Sequence, residues 1–186
     1  QVGSIITTTG FMTVDFDQWP SLSRYVLLFL MMIGACAGST GGGMKVSRFL
    51  LSVKSALREL NSYLFPKSVK KIKMDGKTVD EEAIRGINVY FTAYILLVVL
   101  SVFLICINGM DIESAFSSVL GTFNNIGPGL GKFGPTCNFG WVSTFSKYVY
   151  IFDMLAGRLE LFPVLILLYP PSWRGLLKRS MKRKKN

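Results

Sequence analysis

The chain has 186 residues, half of them hydrophobic, with a mean hydropathy of +0.41 and a formal net charge of +10. Apolar residues gathered into long runs argue against an ordinary soluble domain, and the absence of histidine removes the commonest general base. Ten of the 21 basic residues lie in 45–85 and seven in 174–185, a placement that argues against a nucleic-acid surface and fits cytoplasmic flanks of membrane helices.

In chain order, residues 1–7 read as the end of a short helix that leads into the turn Thr8-Thr9-Gly10-Phe11. The polar stretch Asp15-Phe-Asp-Gln-Trp-Pro20 reads as an exposed loop, and Pro20 suits the first turn of a helix. Residues 25–44 form a twenty-residue window without a charge, membrane-helix length, but the window ends in Gly38, Gly41, Gly42 and Gly43. Backbone freed from helical hydrogen bonds at membrane depth is tolerated only when buried in protein or lining a watery cavity, so this break suggests a transport pathway rather than an anchor. An amphipathic half-helix over 46–61 follows, with Phe49, Leu50, Val53, Leu57 and Leu60 apolar and Lys54 and Arg58 polar.

Asp75-Gly76 between alternating residues is a hairpin signal, and Asp80-Glu-Glu supplies the acidic first turn of the next helix. Residues 86–110 are again uncharged, which predicts a crossing helix over 85–107. Residues 111–123 have helical character but cover only about 20 Å, too short to cross. They end in Asn124-Asn-Ile-Gly-Pro-Gly129, which cannot stay helical. A polar loop and a last helix over 143–169 complete a re-entrant loop; that helix carries Lys147, Asp153, Arg158 and Glu160, so it faces protein or water rather than lipid. The tail 174–186 is a basic cytoplasmic end near anionic headgroups. Cys36, Cys106 and Cys137 suggest no disulfide or metal framework. Gln1 reads as the middle of a longer chain.

The two turns share a grammar, with Gly10 and Gly127 in equivalent places. A cation filter needs backbone carbonyls on one axis, which unusual dihedrals permit and glycine adopts cheaply. Thr8, Thr9, Gly10, Phe11 and Asn125, Ile126, Gly127, Pro128 each offer four residues with glycine third. The alternative is two ordinary surface turns; the position of each between a short helix and a membrane helix favours a filter. Gly38-Ser-Thr-Gly-Gly-Gly43 is not a phosphate loop, because Met44 separates the last glycine from Lys45 and no strand precedes it.

Gly34-Ala-Cys-Ala-Gly-Ser-Thr-Gly-Gly-Gly-Met-Lys45, the Thr8–Phe11 turn, Asn124-Asn-Ile-Gly-Pro-Gly129 and Gly157-Arg-Leu-Glu-Leu-Phe162 together resemble the potassium-translocating subunit of Trk/Ktr-type bacterial uptake systems. The resemblance implies an all-α integral membrane fold of helix–pore loop–helix repeats like those of potassium channels, with one inner helix interrupted by a glycine-rich loop. Four such repeats surround one pore in that family. Residues 1–61 match the end of the third repeat: filter turn 7–11, inner helix 20–36, intramembrane loop 37–44 and second half-helix 46–61. Residues 62–84 match a cytoplasmic linker. Residues 85–173 match the fourth repeat: outer helix 85–107, pore helix 111–123, filter turn 124–129 and inner helix 143–169.

The resemblance also implies a gate made of Gly38, Ser39, Thr40, Gly41, Gly42 and Gly43, with Arg158 as a positive charge below the filter. It further implies a multi-pass place in the bacterial inner membrane, the missing N-terminal repeats as partners, a homodimer, and a cytoplasmic nucleotide-binding ring. Transported K+ is the cargo and no resident cofactor is expected. Within this class a sodium-permeable or sodium-coupled protein is the alternative, and beyond it a non-conducting membrane module. A membrane enzyme using Asp153, Arg158 and Glu160 is disfavoured, because no nucleophile–base pair or metal motif accompanies them.

Overall fold

The computed structural model describes residues 1–39, 41–66, 71–159 and 161–168. Among the described residues its regular structure is helical apart from one two-stranded hairpin. Helix α1 (Val2–Ile6) and a 3-10 turn (Phe16–Gln18) precede α2 (Ser21–Ile33) and α3 (Val46–Leu64). The hairpin pairs β1 (Lys73–Met74) with β2 (Lys77–Thr78). Then come α4 (Glu81–Cys106), α5 (Ile112–Phe123), a second 3-10 turn (Gly131–Phe133), α6 (Thr144–Arg158) and α7 (Leu161–Leu168).

Among the described residues only α4 is long and apolar enough to cross a membrane unaided. Its 26 residues reach about 39 Å. Ile84, Tyr90, Tyr94, Val98, Ser101 and Ile105 form its buried stripe, while Val89, Leu96, Val99, Leu100 and Phe103 point outward. The uncharged window 25–44 does not make a full crossing. Gly34, with φ 73°, ends α2 after 13 residues, and the chain leaves the helix there. It returns through Lys45, at φ 69°, and the Val46 N–H donates to the Ala35 carbonyl at 3.1 Å, closing the base of the excursion. Two half-helices and a pinched loop therefore replace one long helix.

Two further expectations are corrected. The stretch 15–20 is not simply an exposed loop: Phe16 is fully buried with Ile5, Leu27, Met31, Ile126 and Leu130. An aromatic ring among polar residues found an apolar pocket that local composition does not reveal. The final inner helix is not continuous over 143–169. It stops at Arg158 and restarts at Leu161. Pro163 is the reason: it lacks an N–H and its ring would clash with the carbonyl four residues back, so it is accommodated in the first turn of a new helix. Glu160, residues 67–70 and the whole tail 174–186 lie outside the described residues.

Helix α5 is the hub. Nine of its twelve residues are buried, four of them Ser or Thr. Small side chains let neighbouring helices approach, and the hydroxyls find partners. Ser117 Oγ accepts from Leu130 N–H at 2.9 Å, Ser118 Oγ pairs with Tyr150 Oη at 2.8 Å, and Thr122 Oγ1 donates to Ser118 O at 2.9 Å. Asp111 caps the helix by accepting from Ser114 N–H at 3.0 Å, and its hydrogen bonds to Ser114 hold its carboxyl below the ordinary aspartate range. On the same side of the molecule Arg24 of α2 pairs with Asp17 and with Glu113 of α5, and Asp17 also accepts from Gly131 N–H at 3.0 Å. These charged contacts tie the first segment to the second. At the other end Arg58 of α3 pairs with Glu81 of α4. The hairpin tucks Ile72 against Leu51 and Ile84, with Asp75 and Gly76 both at positive φ as a two-residue turn requires.

Candidate functional site

The short helices α1 and α5 end in the same turn. Both C-caps have nearly equal dihedrals, φ −85°, ψ 1° at Thr7 and φ −86°, ψ 2° at Asn124. Thr7, Thr8, Thr9 and Gly10 N–H donate to Gly3, Ile5, Ser4 and Ser4. Asn124, Asn125, Ile126 and Gly127 N–H donate to Leu120, Thr122, Gly121 and Gly121. Each donor and each acceptor in the second set stands 117 positions after its counterpart in the first. Positive φ also recurs in register, at Thr8 (56°) and Gly10 (78°) and at Asn125 (56°) and Gly127 (108°). The residues between them, Thr9 and Ile126, do not have positive φ. Alternating handedness of this kind turns successive carbonyls toward one side instead of alternate sides.

The turns also meet in space. A Cβ on Gly10 would overlap the Ile126 carbonyl oxygen, so the backbones of the two turns are in contact where glycine alone fits. The Ile126 side chain packs into the cluster with Ile5 and Phe16. Beside Gly127, by contrast, no described atom stands within 4 Å of where a Cβ would be. Phe11 is 82% exposed and Pro128 is half-buried.

The glycine-rich loop lies directly against both turns. A Cβ on Gly41 would come within 2.9 Å of Thr8 Oγ1, and one on Gly42 within 2.7 Å of the Asn124 carbonyl oxygen. On Gly43, at φ 81°, it would overlap Asn124 Oδ1. The four glycines are therefore not alike. Gly38 has open space around it and serves only the backbone bend, whereas Gly41, Gly42 and Gly43 are demanded by close approach. Ser39 Oγ donates to the Cys36 carbonyl at 2.6 Å, and Lys45 Nζ reaches the Ser39 carbonyl at 3.4 Å. Thr40 lies outside the described residues.

Helix α6 closes the other side of the second turn. A Cβ on Gly157 would overlap the carbonyl oxygen of Phe123, the last residue of α5. Asn125 Nδ2 donates to the Met154 carbonyl at 3.2 Å, and it also stands 3.3 Å from the Gly157 Cβ position. Arg158 is the next residue, at the exposed end of α6. Asp153, five residues earlier, is fully buried and accepts from Ser101 Oγ of α4 at 2.7 Å.

Several residues that build this site carried no functional reading in the sequence. Gly157 was visible only as part of a motif; the signal for it is the small pair Ala156-Gly157 in an otherwise bulky helix. Tyr90 and Tyr94 stand four apart on α4, and each phenol needs a partner when buried. Tyr90 Oη donates to the Gly43 carbonyl at 3.3 Å and Tyr94 Oη to Asn124 Oδ1 at 3.1 Å. Their spacing in an apolar helix is a readable sign of polar partners, but nothing local names those partners.

Comparison with known proteins gives the chain its relatives. A family model described as TrkH, cation transport protein, matches residues 1–173. The chain is 45% identical over 175 residues to the Trk system potassium uptake protein TrkH of Vibrio parahaemolyticus, covering 94% of this chain and 36% of that protein. It is 42% identical to the TrkH of Escherichia coli K12, again over 94% of the chain and 36% of the relative. The Trk system potassium uptake protein TrkG of the same strain is 34% identical, over 92% of this chain and 35% of TrkG. The crystal structure of the potassium transporter TrkH from Vibrio parahaemolyticus superposes with a TM-score of 0.82 at 45% identity, over 91% of this chain and 36% of that one. The chain thus spans about a third of the length of these relatives.

Proposed function

We propose, for a chain that belongs to the TrkH family of cation transport proteins, that the two facing turns are two walls of a potassium filter and that the glycine loop against them is its gate. The observation that carries this reading is the exact repetition of one hydrogen-bonded turn, with its glycine backed onto the carbonyl of the next turn. Carbonyls aligned on one side replace the hydration shell of a cation. The C-terminal end of α5 adds the negative end of a helix dipole beside the second turn. Gly10 abuts Ile126, while the space beside Gly127 is open among the described residues. We assign the remaining walls to further turns of the same kind in a longer protein, in line with relatives of which this chain spans about a third.

The cargo is K+, as the names of the relatives state for those proteins, with Na+ the competing ion. Transport through such a path involves no covalent step, and no enzymatic activity is proposed. Residues 41–43 block the route below the turns in this reading, and Arg158 adds a fixed positive charge that opposes a queue of cations. The protein lies in the bacterial inner membrane as a multi-pass chain, with 45–85 on the cytoplasmic side.

Serine at Gly10 or Gly127 in the complete protein tests the filter. Both variants are expected to lower the preference for potassium over sodium in uptake assays. Gly10→Ser should be the more severe, because its side chain meets the Ile126 carbonyl, whereas Gly127→Ser strains only the local backbone. Unchanged relative uptake of the two ions in both variants removes the filter assignment.

The protein works as a homodimer with a cytoplasmic nucleotide-binding ring, and the ring meets the basic linker. Lys71 and Lys73 are exposed beside the hairpin; Lys70 lies outside the described residues. Charge reversal at Lys71 and Lys73 is expected to reduce capture of the ring in a salt-dependent way while selectivity survives. Equal capture by wild type and variant at low and high salt excludes this surface from the interface.

A further inference from the structure

The turn after α1 and the turn after α5 share a backbone but differ at one side chain. Thr7 satisfies itself: its hydroxyl donates to Gly3 O at 2.7 Å and pairs with Thr9 Oγ1 at 2.8 Å. Asn124, its counterpart, reaches away from its own turn. It is fully buried, its Oδ1 accepts from Tyr94 Oη at 3.1 Å, and the same oxygen occupies the place that a side chain on Gly43 would need. Its Nδ2 has no hydrogen-bond partner among the described residues. Tyr94 is fully buried too, with its ring edge-on to Phe123 at 5.0 Å. One turn earlier on the same face of α4, Tyr90 holds the Gly43 carbonyl.

We infer that Asn124, fixed by Tyr94, is the positioning residue that couples the glycine loop to the second turn, so that loop position and filter geometry change together. The inference deepens the filter-and-gate reading and rests on it. Asn124 belongs to the turn by its backbone and to the loop by its side chain. A loop that moves away from Gly43's present place uncovers the Asn124 amide, and the amide must then find new partners or pull on the turn. Its spare donor means that the present loop position leaves part of the amide unsatisfied. An acceptor brought to Nδ2 by loop movement would favour the displaced position, which is the differential interaction that a two-state element requires. Tyr94 sets which way the amide faces while this happens. Tyr90 reaches the loop at the Gly43 carbonyl, whereas Tyr94 reaches the turn at the Asn124 amide.

The test uses the complete transporter in vesicles, with two readouts: leak of K+ in the closed condition, and preference for K+ over Na+. Tyr94→Phe removes one oxygen and keeps the ring contact with Phe123. It is expected to raise the leak and lower the preference, each by about fivefold, the effect of losing one net hydrogen bond. Tyr90→Phe should raise the leak alone. Asn124→Leu, of similar size but without polar atoms, should change both readouts. Combining it with Tyr94→Phe should add nothing, because Tyr94 acts through Asn124. A merely structural role would change neither ratio in protein that remains folded. The inference is overturned if Tyr94→Phe moves at most one readout, or if its effect multiplies with that of Asn124→Leu. If Asn124→Leu does not fold, the contrast between Tyr94→Phe and Tyr90→Phe decides alone. A control separates the two levels: shortening the glycine loop reports on the gate itself. A loop deletion that opens the path while Tyr94→Phe is silent defeats only the coupling, whereas a silent deletion defeats the gate reading.

Discussion

Gly157→Ala is expected to abolish most potassium uptake by the complete protein. Helix α6 meets the end of α5 backbone to backbone at this position, and the added methyl would overlap the Phe123 carbonyl oxygen. Neither partner is the end of a flexible side chain. Either α6 moves away from α5, or the last turn of α5 gives way and takes Asn124 and Asn125 with it. Overpacking of this kind costs about 1–3 kcal/mol in ordinary cores, and here relief requires backbone movement on both sides, which puts the cost at the upper end. Loss of the Asn125-to-Met154 hydrogen bond should follow, since it spans the same contact. Uptake of rubidium into vesicles is expected to fall by at least about tenfold, together with a lower melting temperature. Gly86→Ala is the matched control: it lies within α4 with nothing within 4 Å of its Cβ position, and should be neutral or slightly stabilising. Wild-type uptake and melting in Gly157→Ala would show that the close approach of α6 to α5 is not required.

Shortening the glycine loop is expected to have the opposite effect on flux. Gly41, Gly42 and Gly43 fill the space against Thr8, Asn124 and Asn125, and the loop is pinched at its base by the Val46-to-Ala35 hydrogen bond. Removal of part of residues 37–44 leaves that base able to close while taking away the atoms under the turns. If the loop holds the closed state at about 99:1, its removal raises flux by up to about a hundredfold. If the loop is the gate, as proposed, control of flux by a cytoplasmic ring should weaken at the same time, because the element such a ring would bias is gone. A folded deletion variant with normal, regulated flux would rule the loop out as a gate.

Much of this architecture follows from the amino-acid sequence by rules that act over a few residues. The uncharged run 86–110 makes a crossing helix because nothing in it opposes one. Asp111 and the glycines after Phe123 bound a helix too short to cross. Gly10 and Gly127, each third in its turn, have the positive φ that such turns demand. Gly34 ends α2 three residues before the expected end of the inner helix at 36, and the glycine-rich stretch that follows is the expected loop.

What the sequence left undetermined depends on residues far apart in the chain. Phe16 sits among polar neighbours and is buried only because Ile5, Leu27 and Ile126 converge on it. The different duties of Gly38, with open space around it, and Gly43, pressed against Asn124, are invisible in a run of identical residues. The partners of Tyr90 and Tyr94 stand 47 and 30 positions away. Backbone dihedrals and helical hydrogen bonds are local, so composition and spacing determine them. Which backbone a glycine lets approach, and which carbonyl a buried phenol reaches, is settled only when the helices pack, because those contacts arise from shape and close approach rather than from the neighbours along the chain.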